Sequence, residues 1–181
     1  VYVPKKWRDK LPVKVGTRAD GFVCFMDLGP TLLHLAGIQV PEQMDGTPFL
    51  GTDISLKKLN ARDEVYGYGD RFDELYAFNR TLRKGNFKYS RNFQPYHSKS
   101  LYAFCEWLSL YESGKLNDAQ SRFFEPQGAE ELYDLSVDPY ETRNLVGDPA
   151  YSSKLKELRG ILKTTMIKEC DLGFFPECVW L

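Results

Sequence analysis

Tyr76-Ala77-Phe78-Asn79-Arg80-Thr81-Leu82-Arg83-Lys84-Gly85-Asn86-Phe87-Lys88-Tyr89-Ser90-Arg91-Asn92-Phe93 is the stretch that decides the fold. It reads as two strands, Tyr76 to Arg83 and Phe87 to Phe93, joined by a turn at Lys84-Gly85-Asn86. Successive side chains of a strand point to opposite faces. Phe87, Tyr89 and Arg91 therefore point one way, and Lys88, Ser90 and Asn92 the other.

Upstream, Val65-Tyr66-Gly67-Tyr68 reads as another strand, followed by a polar knot, Gly69-Asp70-Arg71-Phe72-Asp73-Glu74, that interrupts it. Downstream, Glu131-Leu132-Tyr133-Asp134-Leu135 is a further short strand. Leu101, Phe104, Leu108 and Tyr111 recur at helical spacing over residues 101–112. A final helix runs from about Pro149 to Lys168 with Leu155, Leu158, Leu162 and Met166 on its buried face. Asp148 can cap it, with Pro149 at its first position. Antiparallel strands followed by a helix that can cover one sheet face define an α+β layer.

The first 62 residues have a different character. Pro4 and Pro12 break any helix in the opening segment. Asp27-Leu28-Gly29-Pro30-Thr31-Leu32-Leu33-His34-Leu35-Ala36-Gly37 predicts a short helix capped by Asp27, with Leu28, Leu32 and Leu35 on one face and Gly37 ending it. Pro41, Gly46, Pro48 and Gly51 make residues 38–62 read as a surface loop.

The chain has 181 residues, a formal net charge of -1, 43% hydrophobic and 27% charged residues. That is the balance of a globular protein able to bury roughly two-thirds of its unfolded surface. Near-neutral charge argues against a nucleic-acid or anionic-membrane partner, which would want a basic face. No stretch approaches the ~18 apolar residues of a membrane span. With 11 Tyr and 12 Phe, most aromatics should be core. Some could stack on a flat ligand such as a sugar. Cys24, Cys105, Cys170 and Cys178 allow three pairings and lack Cys-x-x-Cys spacing, so mostly buried free thiols are expected and a zinc site is not. Neither a signal-peptide pattern at Val1 nor a polar tail after Phe174 is visible, so both ends read as cuts through a longer chain.

Three segments together resemble the type I sulfatases of the alkaline-phosphatase superfamily. The first is Asp27 to Ile38 with Pro41-Glu42 and Asp45-Gly46; a similar stretch of the family often has Asp where His34 stands here. The second is Glu131 to Leu135 with Asp138-Pro139, Glu141, Asn144 and Leu145. The third comprises Asp70 to Glu74, the hairpin end Arg91-Asn92-Phe93, and Asp171-Leu172-Gly173-Phe174-Phe175-Pro176-Glu177. These are similar to a microbial subgroup holding sulfamidase-like and polysaccharide-acting enzymes.

The resemblance implies a domain plan. Residues 1–62 would be the tail of the large α/β domain, residues 63–168 the C-terminal subdomain of antiparallel sheet plus helix, and residues 169–181 the start of a truncated extension. It implies a chemistry carried elsewhere: a formylglycine diol from a Cys/Ser-x-Pro-x-Arg motif attacks sulfur, and calcium on oxygen ligands neutralises the sulfate. No Cys or Ser here is followed by x-Pro-x-Arg, and no Asp-Asp, Asp-Asn or Asp-His pair occurs. No catalytic or metal-ligating residue is therefore expected in this chain, and none of the cofactors is expected to bind it. The expected partners are a sulfated carbohydrate and the N-terminal catalytic domain, in a periplasmic or secreted enzyme. The alternatives are a phosphodiesterase or phosphonate hydrolase of the same superfamily, or a noncatalytic carbohydrate-binding module.

The resemblance also implies that loops of this subdomain wall the substrate pocket. Asp70, Arg71, Arg91, Asn92 and His97 sit at strand ends or in loops, where binding residues concentrate. A guanidinium such as that of Arg71 can hold a carboxylate or sulfate through two parallel hydrogen bonds. The competing role for Arg71 is an ion pair within the knot, with Asp70, Asp73 or Glu74. For Arg91 and Asn92 it is a cross-strand contact, and for His97 a solvated loop position. His34 is expected on a helix face. Asp138, Glu141 and Asn144 are expected to make turn and cap hydrogen bonds.

Overall fold

The computed structural model describes residues 1–8, 11–72, 75–95 and 104–175. The chain divides into two compact units, Val1–Val65 and Tyr66–Leu181.

Among its described residues the first unit holds the short α-helices α1 (Lys5–Arg8), α2 (Leu28–Leu35) and α3 (Leu56–Asn60), with a turn of 3-10 helix at Phe25–Asp27. Its anchor is Asp27, which is 2% exposed. The Asp27 carboxylate accepts from the Cys24 amide (2.9 Å), the Thr47 amide (2.8 Å) and the Arg62 guanidinium (2.6 Å). Burial pushes its pKa up, but these bonds outweigh burial and hold it below the ordinary value. Asp27 thus does not cap α2 with its side chain, as the sequence suggested. Its carboxylate turns back to stitch residues 24, 47 and 62 together, which a local helix pattern cannot reveal. Residues 38–62 are not all loop either: Ser55 caps α3, accepting from Lys58 N at 3.2 Å, and α3 buries Leu59. A five-residue helix with two leucines is too short for a periodic signal. Leu28, Leu32 and Leu35 share a face, as predicted, yet all three are exposed.

The second unit is an antiparallel sheet of β1 (Glu64–Phe72), β2 (Leu75–Lys84), β3 (Phe87–Asn92) and β4 (Glu130–Asp134), in that spatial order. The polar knot does not interrupt β1, which continues through Asp70 and Arg71. Polar residues are tolerated there because their side chains find partners. Gly85 takes φ +55 in the turn between β2 and β3, a backbone region that favours glycine.

Register assigns the faces. Arg80 pairs with Arg91, Leu82 with Tyr89, Tyr89 with Leu132, and Arg91 with Glu130. One face thus presents Arg80, Leu82, Phe87, Tyr89, Arg91, Glu130 and Leu132. The other presents Asn79, Thr81, Lys88, Ser90, Asn92, Glu131 and Tyr133.

The first face is covered by a helix. Asp148 accepts from Ala150 N at 3.0 Å, a turn of 3-10 helix holds Pro149–Tyr151, and α6 (Ser152–Lys168) follows. Leu155, Leu158 and Leu162 of α6 pack with Leu82, Tyr89, Leu132 and Leu145 in one core. Met166 packs at its margin, partly buried. The predicted α+β layer is what the molecule builds.

Between β3 and β4 lie α4 (Cys105–Glu112) and α5 (Asp118–Ser121). Leu101, predicted on the face of the first of these, lies outside the described residues. Trp107, Phe123, Phe124 and Tyr111 form a ring cluster there, Trp107 stacked on Phe123 with centroids 4.6 Å apart. Cys24 and Cys170 are free thiols, half-buried and exposed rather than buried.

Candidate functional site

Arg80 is the most engaged side chain of the sheet and was not singled out from sequence. It is 1% exposed. Its Nε and Nη2 grip the Asp171 carboxylate in a fork, Nη2 at 2.7 Å from Oδ1. Its Nη1 donates to Asp70 at 2.7 Å and to the Asn79 carbonyl at 2.8 Å. Tyr66 donates its hydroxyl to Asp171 at 2.8 Å. A planar guanidinium with five donors suits a buried, doubly carboxylated position better than any other cation. The Arg80 hydrogen bond holds Asp171 down at about 2 against the opposing effect of burial. Burial, then Asp171, pushes the Tyr66 phenol well above its ordinary range.

This cluster docks residues 171–175 onto the sheet. Gly173 lies so near Arg80 that a Cβ there would fall 1.9 Å from Nη2. Phe174 packs edge-on against Phe78 (5.0 Å) and Phe93 (4.9 Å). Phe78 itself has φ +34, a strained conformation for a residue with a side chain, held by those rings and by Tyr76.

The sequence-predicted site residues separate accordingly. Asp70 is paired with Arg80. Alternation along β1 turns Arg71 to the opposite face, where it is exposed. Arg91 lies with Arg80's face, 3.5 Å from Glu130 and above the Phe93 ring at 5.7 Å. Asn92 lies on the other face, 4% exposed, donating to the Gly128 carbonyl at 2.8 Å and to Glu131 at 3.3 Å. His97 lies outside the described residues. Arg91 and Asn92, adjacent in sequence, therefore serve different surfaces.

Each face carries a concavity. On the helix-covered face, a groove of about 600 Å³ runs past Arg91, Phe93, Glu130, Arg159, Lys163 and Phe174. Glu130 neutralises much of its charge, accepting from Tyr89 at 2.5 Å and from Arg159 Nε at 2.7 Å. The Arg159 hydrogen bond is the main reason its pKa is lowered.

On the opposite face, a cleft of about 840 Å³ lies over Asn79, Thr81, Ser90 and Asn92. Trp107, Phe123, Arg122, Gln127 and Tyr140 wall it. Thr81 and Ser90 share one hydroxyl hydrogen bond at 3.0 Å. Lys88 is matched to Glu141 at 2.7 Å. Glu141 makes the expected turn hydrogen bond, its amide donating to the Asp138 carbonyl at 3.2 Å, and its side chain adds the pair with Lys88, on a backbone with φ +56. Asp138 and Asn144 act as predicted: Asp138 accepts from the Thr142 and Arg143 amides at 3.0 and 2.8 Å, and Asn144 from the Leu132 amide at 3.0 Å. His34 is exposed enough on α2 to reach Asp53, 2.7 Å away. Among the described residues, no group of three or more His, Cys, Asp or Glu side chains could hold a metal ion. No helix of the described residues is long and apolar enough to cross a membrane.

No protein-family model matches the chain. An ulvan-active sulfatase of Formosa agariphila is 36% identical over 164 residues, covering 86% of this chain and 27% of that protein. A solved 2-O GAG sulfatase superposes with a TM-score of 0.52 at 25% identity, over 81% of this chain and 25% of that one. A match in fold alone is a protein solved with its substrate D-glucosamine-2-N,6-O-disulfate, with a TM-score of 0.60 at 19% identity, over 91% of this chain and 28% of that one. The curated relatives it matches are sulfatases, and the chain spans about a quarter of their length.

Proposed function

We propose that this chain is the C-terminal portion of a type I sulfatase acting on sulfated carbohydrate, and that its sheet and loops form part of the substrate pocket. The observation that carries the reading is the 36% identity to an ulvan-active sulfatase along 86% of the chain. The exposed stripe of Leu28, Leu32 and Leu35 supports it, since a stripe of that kind fits a segment completed by further chain. The described residues do not make a calcium shell. In this reading calcium and the formylglycine nucleophile belong to the preceding catalytic domain. The parent enzyme is proposed to be periplasmic or secreted, where polymeric sulfated sugars are met.

The test is turnover by the protein expressed from its complete reading frame, on p-nitrophenyl sulfate and on a sulfated oligosaccharide. A Cys/Ser-x-Pro-x-Arg motif ahead of Val1 and sulfate release from both are expected. A Thr or unmodified Ser nucleophile, with no sulfate release but p-nitrophenol release from bis(p-nitrophenyl) phosphate, would select the phosphodiesterase reading. Binding to sulfated glycan with no turnover would select the noncatalytic module. In the same enzyme Arg71 is proposed to touch an anionic group of the substrate away from the scissile sulfate. Losing a charge-assisted bond costs roughly 1.5–3 kcal/mol. Arg71→Ala should therefore lower kcat/KM on the oligosaccharide about tenfold to a hundredfold and spare the aryl sulfate. An equal loss on both, with a lower Tm, would make Arg71 a structural residue of β1.

A further inference from the structure

The two concavities differ in chemistry, and the difference points to what one of them holds. The groove beside α6 is mostly apolar, and Arg91 and Arg159 share the Glu130 carboxylate. The cleft on the opposite face combines rings with polar groups that still have hydrogen-bonding capacity. The side-chain amides of Asn79 and Gln127 and the indole N–H of Trp107 have no side-chain hydrogen bond among the described residues. Thr81 and Ser90 satisfy each other only once, which leaves a hydroxyl proton and several lone pairs. Tyr140, 86% exposed, offers an open ring at the rim. Arg122 donates through Nη1 to the Thr142 carbonyl, lies near enough to Asp138 to help lower its pKa, and forms no ion pair within 4 Å among the described residues.

Apolar ring faces beside convergent amides and hydroxyls are what a sugar requires, with its C–H face and its ring of hydroxyls. We propose that this cleft is a saccharide-binding subsite, in which the Tyr140 ring covers one face of a sugar and the Arg122 guanidinium holds its sulfate. Asn79, Gln127 and the Thr81–Ser90 pair meet its hydroxyls. Glu131 also faces the cleft, accepting from Tyr133 at 3.1 Å, and can accept a sugar hydroxyl. Its charge repels an anionic substituent and so directs that substituent to Arg122. Lys88 is neutralised by Glu141 and does not compete as an anion site.

The inference rests on the carbohydrate-sulfatase reading for its choice of ligand, and the two are tested apart. The full-length protein is titrated calorimetrically with ulvan oligosaccharides and with glycosaminoglycan oligosaccharides, each before and after chemical desulfation. Turnover of p-nitrophenyl sulfate, which cannot fill an extended sugar cleft, reports separately on the family reading. Arg122→Ala should weaken the sulfated ligands about tenfold or more, as for loss of a charge-assisted bond, and leave the desulfated ones unchanged. Tyr140→Ala should weaken both forms by about two- to tenfold. Lys156→Ala, an exposed α6 cation outside both concavities, should do neither. Both cleft side chains are exposed, so an unchanged Tm is expected and keeps the comparison clean. Wild-type protein that binds neither oligosaccharide overturns the proposal. Wild-type affinity retained by both folded cleft variants overturns it as well.

Discussion

At the scale of single residues, Arg80 carries the largest consequence. Removing one member of a buried ion pair leaves the other charge without compensation, which costs about 3–5 kcal/mol. Arg80→Ala should therefore destabilise by about that amount in urea denaturation, because it strands both Asp70 and Asp171. An unchanged midpoint would show that residues 171–175 are held by their rings alone. Asp171 adds a pH dependence whose sign follows from its lowered pKa. The folded value of about 2 lies below the ordinary 3.8, so the stabilisation is fully present above about pH 4 and is lost as pH falls toward 2. Asp171→Asn should be less stable than wild type near neutrality and should lose less in that acid window. Sequence reading passed over Arg80 because an arginine between an asparagine and a threonine in a strand gives no sign of burial. Its partner lies 91 residues away, beyond any local pattern. Asp70 pairs with the same arginine from only ten residues away, in the neighbouring strand.

At the scale of elements, the leucine spacing of α6 was readable because it reports one-sided burial, and the period-two alternation of β3 because it fixes side-chain direction, although both faces of β3 hold buried residues. The same alternation placed Arg91 and Asn92 on opposite faces, a separation that a shared label as strand-end residues conceals. The cleft was not legible: Trp107, Arg122 and Tyr140 come from three segments, and only the register of β2, β3 and β4 brings the polar floor under them. Asp27 failed as a helix cap for a related reason, since its best donors come from residues 24, 47 and 62. The α6 packing makes a direct prediction. Leu158 is fully buried at the centre of the core. Leu158→Ala should cost about 2–5 kcal/mol, the range for an internal leucine that leaves a cavity. Thermal and urea unfolding check this, and Ile167→Ala is the matched control because Ile167 is 70% exposed. Equal midpoints for Leu158→Ala and wild type would contradict the packing of α6 on the sheet.

At the scale of the whole molecule, the chain matches about a quarter of each curated relative, and under the proposed function the reaction is carried by a preceding domain. The purified 181 residues should hydrolyse no aryl sulfate, with calcium or with a formylglycine-generating partner added. Calcium-dependent turnover by this polypeptide alone would refute the division of labour proposed here. The Asp171 anchor has one more implication, for the order of events on the ribosome. Arg80 leaves the synthesis machinery 91 residues before the carboxylate that will neutralise it. At about 5–20 residues per second, roughly 5–20 s pass in which β2 carries a cation with only Asp70 to meet it. The sheet face beside it cannot close until the final turn of the subdomain has been made. A nascent chain stalled short of Gly173 would present Phe78 and Phe93 uncovered, a sticky intermediate that holdase chaperones are suited to shield.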